Sequence, residues 1–269
     1  MKVGIGSYAF RYAIGDPTLP PAERMNLARL LEYSHLERIP VVQVCDNLPL
    51  HRMSGADLQE ARDLAQQYGI ELEIGTIGYS SEHLTRYVEI ARLLRAKVLR
   101  AVLGGGCVDG GADDVLRQIR RLVPALEANQ TTLAIENHFD LPPPDLHRLI
   151  VDLDHPLVGI CMDPLNSISH LWGVQETIGC LQEHIVSAHV KDVTVRRKGA
   201  GFLITGCPLG EGDADIPTYL RQVHAANPEC NLFLEQWMDP GESLAQTLAA
   251  ERKWVADGMA FLNRIVSSL

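Results

Sequence analysis

The 269-residue sequence lacks several features that would assign it to a membrane-bound or disulfide-bonded class. No apolar run approaches the roughly 18 residues that a membrane-spanning helix needs. The N-terminal segment is too short and too strand-like for a signal peptide. The six cysteines form no CxxC pair, and several lie inside apolar runs. We therefore expect reduced, buried thiols in a cytoplasmic protein, not a disulfide framework.

Basic residues are also scarce. The chain has 24 Lys and Arg against 34 Asp and Glu, which gives a formal charge of −10 and a pI of about 5.4. Such a surface repels phosphate backbones and offers no basic stripe, so a nucleic-acid-binding function is not expected. The chain is 46% hydrophobic, which is enough to bury a large core.

Short apolar runs alternate with amphipathic stretches from end to end, without a linker or an internal repeat. Eight strand–helix units in this length predict one domain, residues 1–269, folded as a closed (β/α)8 TIM barrel. An open doubly wound sheet is the alternative, although no GxGxxG follows the first strand. Residues 191–215 are interpreted as a long loop. The predicted strands are residues 3–8, 41–45, 71–76, 98–103, 132–136, 158–162, 186–190 and 232–235.

Four consecutive predicted strands end in side chains that can bind a metal. These are Glu136, Asp163, His189 and Glu235, each preceded by an apolar run. In barrels of this type the active site lies at the carboxyl ends of the strands, so the four side chains should meet there. A carboxylate in that position is costly unless it is paired or metal-bound, and four metal-binding side chains at matching positions are hard to explain separately.

Three carboxylates and one imidazole favour Mn²⁺ or Mg²⁺, with Co²⁺ or Zn²⁺ possible, over a closed structural zinc site. Such an ion would polarise a ketone or aldehyde and stabilise the enediolate formed when a neighbouring C–H is deprotonated. Glu136 and Glu235 come from strands five and eight. They are therefore the candidate acid–base pair as well as ligands.

Five further residues are candidate substrate contacts, each with a structural alternative. The alternatives are packing for His138, a helix cap for Asn166, a surface salt bridge for Lys191 and a solvated loop for Arg197; Trp237 follows Glu235 and could line the pocket. Separately, Arg100 and Glu73 lie within adjacent predicted strands and are expected to pair with each other as a structural ion pair.

At these strand ends the sequence resembles the xylose-isomerase-like sugar isomerase and epimerase family. The resembling segments are Ile135–His138, Cys161–Asp163, Ala188–Asp192, Leu234–Glu235 and the turn Pro208–Gly212. The resemblance covers essentially the whole chain. It implies the barrel, a bound divalent metal, and ligand and proton-transfer roles for Glu136 and Glu235.

The resemblance leaves the reaction open. The leading interpretation is an isomerase or epimerase of a small keto sugar or sugar acid, in a chain that could form homo-oligomers. However, the residues after His138, Phe139 to Pro144, do not match the ketose 3-epimerases. A lyase of the same fold is the alternative, either a decarboxylase of a 3-oxo sugar acid such as 3-oxo-isoapionate or a dehydratase of the inosose or dehydroshikimate type. A structurally related DNA-repair endonuclease is disfavoured by the acidic charge.

Overall fold

A closed barrel of eight parallel strands forms the centre of the protein, as predicted. The computed structural model describes residues 1–20, 22–104 and 110–269. Around the barrel the strands follow the order β1-β10-β7-β6-β5-β4-β3-β2. The barrel strands are β1 (Val3–Gly6), β2 (Val41–Val44), β3 (Glu71–Ile77), β4 (Val98–Val102), β5 (Thr132–Glu136), β6 (Val158–Met162), β7 (Ile185–Val190) and β10 (Asn231–Leu234).

The helices surround the barrel and bury one apolar face each against it. Local sequence signals fix the helix ends, and α3 is an example. Ser54 and Asp57 form a capping box at its N-terminus, and Gly69 ends it in the left-handed conformation. The helices are α1 (Arg11–Gly15), α2 (Leu27–Leu36), α3 (Gly55–Tyr68), α4 (Ser81–Leu94), α5 (Gly111–Asn129), α6 (Pro143–Leu153), α7 (Val174–Leu181), α8 (Ile216–Ala226) and α9 (Leu244–Val266).

Two segments differ from the sequence-based expectation. The first strand ends at Gly6, and Ser7–Phe10 form a 3-10 helix that leads into α1. The segment interpreted as a long loop contains an antiparallel hairpin, β8 (Asp192–Lys198) and β9 (Gly201–Cys207). Three consecutive β-branched residues, Val193 to Val195, precede a glycine turn in which Gly199 has φ +59°, and this pattern accounts for the hairpin.

Close backbone approaches hold this hairpin against the barrel mouth. A Cβ atom at Gly206 would lie 1.8 Å from the carbonyl oxygen of Trp237, so only glycine permits the contact. The buried Asp192 carboxylate accepts the backbone N–H groups of Val193, Gly210 and Gly212 at 2.8–3.0 Å. One aspartate therefore fixes both the start of the hairpin and the turn that follows it.

Five cysteines are free, as expected: Cys45, Cys161, Cys180, Cys207 and Cys230. Cys107 lies outside the described residues. In the described part of the chain, no helix combines the length and apolar character needed to cross a bilayer.

Candidate metal centre

Four buried side chains meet at the carboxyl end of the barrel. His189 Nδ1 lies 3.6 Å from Glu136 Oε1, 3.5 Å from Asp163 Oδ2 and 3.5 Å from Glu235 Oε2. All four residues are at most 5% exposed. The strands β5, β6, β7 and β10 are consecutive neighbours in the barrel, which is why the side chains at their carboxyl ends converge.

The imidazole of His189 is the centre of this cluster. Its Nδ1 atom is buried and makes no hydrogen bond within the described part of the chain, although three carboxylate oxygens surround it. Burial alone would lower the pKa of His189, but Cys161 and the carboxyl groups around it hold the pKa well above its usual value. Donor atoms that share one divalent ion at about 2.0–2.2 Å lie roughly 3–4 Å apart. The spacing and chemistry of this set therefore fit a divalent cation.

Neighbouring amides and backbone groups position the carboxylates. The Asn137 side chain accepts from Asp163 N at 2.7 Å and donates to Asp163 O at 2.8 Å, which joins the ends of β5 and β6. Asn166 donates its backbone N–H to Asp163 Oδ1 at 2.9 Å and its amide to Glu136 Oε1 at 2.7 Å. Asp163 Oδ2 is thereby turned toward His189.

A lysine ammonium stands beside the carboxylates. Lys191 Nζ is 2.7 Å from Asp163 Oδ2, 3.5 Å from Glu235 Oε2 and 4.7 Å from the centroid of the Trp237 ring. Burial alone would lower the pKa of Lys191, but Asp163 and Glu235 raise it. This side chain is 3% exposed and lines the cavity, so it places a proton donor at the candidate site.

Arg100 connects the cluster to the opposite wall, which corrects the expected pairing with Glu73. Its guanidinium binds Glu136 Oε2 through Nε and Asp46 Oδ1 through Nη1 at 2.8 Å, and Tyr8 Oη donates to Asp46 Oδ2 at 2.7 Å. Burial alone would raise the pKa of Glu136, but Arg100 and His189 hold it well below its usual range. The prediction failed because Arg100 reaches the site at the carboxyl rim, whereas Glu73 points into a lower layer of the barrel.

A cavity of about 630 Å³ opens above these residues. Its walls include four of the predicted substrate contacts: His138, Asn166, Lys191 and Trp237. The fifth, Arg197, is exposed on β8 and lies outside the set that lines the cavity. The walls also contain residues that the sequence analysis ranked low or did not single out, namely Tyr8, Arg11, Tyr12, Asp46, Asn47, Arg100 and Phe139.

Cys161 and Gln43 lie on the other side of the His189 ring. His189 Nε2 is 2.7 Å from Gln43 Oε1 and 3.5 Å from Cys161 Sγ. Glu136, Cys161 and His189 also form a geometrically possible metal group. We discount that group because Cys161 Sγ lies beside Nε2, the ring nitrogen that Gln43 Oε1 already occupies, and not beside the Nδ1 atom that faces the carboxylates.

Comparison with known proteins agrees with this architecture. A family model described as "Xylose isomerase-like TIM barrel" matches residues 39–265. The chain belongs to this family. The resemblance noted in the strand-end segments is thus confirmed for the family as a whole.

Individual relatives carry different activities on the same barrel. This chain is 28% identical to the 3-oxo-isoapionate decarboxylase of Pectobacterium atrosepticum over 264 aligned residues. The alignment covers 97% of this chain and 95% of that protein. A xylose isomerase-like protein of Mycobacterium smegmatis, solved in complex with magnesium, superposes with a TM-score of 0.73 at 15% identity over 98% and 97% of the two chains. The D-psicose 3-epimerase of Clostridium cellulolyticum H10 gives 0.69 at 12% over 98% of each. At these identities the solved structures support the fold alone.

Proposed function

We propose that this chain is a divalent-metal-dependent decarboxylase of a 3-oxo sugar acid, with 3-oxo-isoapionate as the first substrate to test. Glu136, Asp163, His189 and Glu235 would hold the ion. The observation that carries the metal assignment is the buried His189 Nδ1 atom, which faces three carboxylate oxygens at 3.5–3.6 Å. Mn²⁺ remains our predicted ion on the grounds of the donor set.

A bound ion would act as a Lewis acid toward the substrate carbonyl and offset the negative charge that develops on its oxygen. The residues of the chain supply the remaining functions. Arg100 and Asn166 occupy the two oxygens of Glu136, which fixes the direction of that carboxylate. The backbone N–H groups of Leu165 and Asn166 donate to Oδ1 of Asp163, which fixes the direction of that carboxylate. A preorganised site of this kind avoids reorganisation during the reaction.

Loss of CO2 suits this arrangement better than proton abstraction by two opposed bases. Decarboxylation breaks the bond between the carboxylate carbon and the α-carbon, and the electron pair moves toward the neighbouring ketone oxygen to give an enediolate. No base is needed. Glu136 is poorly suited as a base because both of its oxygens already accept hydrogen bonds. The near full-length decarboxylase relative supports the same reaction class.

A proton must then reach the α-carbon, and Lys191 is the donor we assign. Its ammonium lines the cavity and stands beside Asp163 and Glu235, so it faces the substrate from the ligand side. After donation the neutral amine recovers a proton from solvent. The Trp237 ring, whose centroid lies 4.7 Å from Nζ, favours the charged ammonium form of Lys191 before donation.

Epimerisation of a keto sugar is the second candidate function, because epimerases share the fold and Glu235 lines the same cavity. In that reaction Glu136 and Glu235 would remove and return a proton on opposite faces of one carbon. The Phe139 to Pro144 segment, which departs from the ketose 3-epimerases, argues against it.

The two functions can be separated in one experiment. The protein, loaded with Mn²⁺ after treatment with a chelator, is incubated in D2O with 3-oxo-isoapionate or with a panel of ketoses, and released CO2 and products are measured. We expect CO2, a product one carbon shorter, and one deuterium per turnover, all dependent on added metal. Deuterium exchange into an epimerised ketose without CO2 would make the decarboxylase proposal wrong.

A further inference from the structure

Beneath the candidate metal centre, the barrel interior holds a layer of polar side chains with no direct place in the proposed reaction. The layer contains Gln43 on β2, Glu73 on β3, Ser187 on β7 and Asn231 on β10. Gln43 and Glu73 are paired in register, and so are Ser187 and Asn231. Each of the four is at most 9% exposed, so each needs a hydrogen-bond partner inside the barrel.

The Glu73 carboxylate organises this layer by accepting from three sides. Asn231 Nδ2 donates to Oε1 at 2.9 Å, Ser187 Oγ donates to Oε2 at 2.8 Å, and Gln43 Nε2 donates to Oε2 at 3.2 Å. An ionised carboxylate can only accept, so the Gln43 amide must direct its NH2 group toward Glu73. The carbonyl oxygen of Gln43 is therefore turned the other way.

That oxygen faces His189. Gln43 Oε1 lies 2.7 Å from His189 Nε2, and an amide oxygen can only accept, so Nε2 must carry the hydrogen. In the neutral imidazole, a proton on Nε2 leaves the lone pair on Nδ1. Nδ1 is the atom that faces the oxygens of Glu136, Asp163 and Glu235.

We propose that Gln43 and Glu73 are positioning residues that set the tautomer of His189, so that Nδ1 presents a lone pair to the metal. Glu73 fixes the orientation of the Gln43 amide, and Gln43 fixes the proton on Nε2. The inference rests on the proposed ligand role of His189. Outer partners of ligating histidines typically contribute 10–100-fold to metal affinity, which gives the size of the expected effect.

The test compares metal affinity across variants of this relay. Binding of Mn²⁺ is measured by titration calorimetry at pH 8, above the pKa of about 7 that burial gives Glu73. Gln43→Met removes the acceptor and should raise the Kd for Mn²⁺ by about 10–100-fold. Glu73→Gln is isosteric but can donate to the Gln43 oxygen, which frees that amide to reverse, so it should also weaken binding.

The double variant Gln43→Glu with Glu73→Gln provides the rescue. A carboxylate at position 43 can only accept from His189 Nε2, and the new amide at position 73 can donate to it. We expect this variant to bind Mn²⁺ more tightly than Glu73→Gln alone. In the Zn²⁺-loaded protein labelled with ¹⁵N-histidine, NMR should show a hydrogen-bonded Nε2 proton for His189 that shifts in Gln43→Met.

Glu251→Gln is the matched control, because Glu251 is another buried carboxylate, 1% exposed, whose pKa burial also raises to about 7. It bonds Tyr12 N and Ala13 N, not the polar layer, so its Kd for Mn²⁺ should equal that of the wild type. Unchanged affinity in Gln43→Met, or equal weakening in Glu251→Gln, would overturn the inference and leave the proposed function intact. A wild-type protein that binds no divalent metal would overturn both.

Discussion

The two sides of the barrel mouth use similar residues in opposite ways. On the side of β1, β2 and β4, Tyr8, Asp46 and Arg100 complete one another's hydrogen bonds. On the side of β5, β6, β7 and β10, three carboxylates crowd around His189, whose Nδ1 atom has no hydrogen-bond partner among the residues that the structure describes. The first side is complete as folded. The second side would be completed by a cation.

This difference separates residues that build the cavity from residues that await a ligand. Asp46 accepts from Tyr8 and Arg100 and lines the cavity wall, so it needs no further partner there. A buried histidine nitrogen that makes no hydrogen bond is costly unless something binds there. Arg100 is the bridge, because it contacts Asp46 on the complete side and Glu136 on the other.

The largest effect should come from the same isosteric change made on each side. Asp163→Asn removes a negative ligand from the incomplete side, and we expect turnover to fall by at least about a thousandfold, because several kcal/mol of charge stabilisation are lost with the ion. Asp46→Asn on the complete side should cost far less. Steady-state assays at saturating Mn²⁺ compare the two, and equal losses would show that the sides do not differ as we describe.

The next largest effect should come from Lys191. Lys191→Met should lower kcat by about 10²–10⁴-fold, the usual contribution of a general acid, while Mn²⁺ binding is retained or tightened because a competing cation is gone. Lys191→Arg keeps the charge but holds its proton too firmly to donate it. If the arginine variant restored kcat, Lys191 would serve as a charge and not as an acid.

The stability of an Arg100 variant tests whether this residue connects the two sides. Arg100→Met leaves Asp46 and Glu136 without their common cation, and the free energy of unfolding should fall by about 3–5 kcal/mol. Urea denaturation followed by circular dichroism measures the loss. The exposed pair of Arg117 with Asp114 is the control, and Arg117→Met should cost less than about 1 kcal/mol.

Much of the incomplete side could be read from the sequence. Each of Glu136, Asp163, His189 and Glu235 lies at or next to the end of a short, largely apolar strand, and a parallel barrel brings the carboxyl ends of all strands to one face. The positions of the strand ends therefore predict that these four side chains converge, without any knowledge of side-chain geometry. The barrel itself follows from the alternation of strands and helices in the same way.

The partners of polar residues inside the strands could not be predicted in this way, either on the complete side or in the polar layer beneath the metal centre. Gln43, Glu73 and Arg100 lie inside strands, where a sequence shows that a polar residue is buried but not which partner it reaches across the barrel. Because their strands are neighbours, Arg100 and Glu73 were expected to form an ion pair. The long side chain of Arg100 instead reaches Glu136 at the carboxyl end of the barrel. The hairpin in residues 192–207 was missed although its run of β-branched residues, Val193 to Val195, and its glycine turn were visible in the sequence.

A smaller, pH-dependent effect is expected from Glu251, which holds the chain near Tyr12 on the complete side. Burial raises the pKa of Glu251 to about 7, so the folded state binds a proton that the unfolded state releases at lower pH. Its stabilising contribution is therefore full below about pH 4.5 and is lost as the pH rises through 7, by up to about 1.4 kcal/mol per pH unit. Unfolding curves of Glu251→Gln between pH 5 and 8 should be less steep in pH than those of the wild type, with the contribution of Glu73 remaining, and a slope equal to that of the wild type would contradict the assignment.

The smallest effect concerns Arg197, a predicted substrate contact that the fold places on the exposed hairpin. Because its side chain lies outside the cavity wall, Arg197→Ala should change KM by no more than about twofold, as for most surface substitutions. Arg11, an exposed cation that does line the cavity, provides the comparison, and Arg11→Ala should raise KM for an acidic substrate more. A large rise in KM for Arg197→Ala alone would mean that the hairpin closes over the bound substrate, so that the mouth of the barrel has a third, movable side.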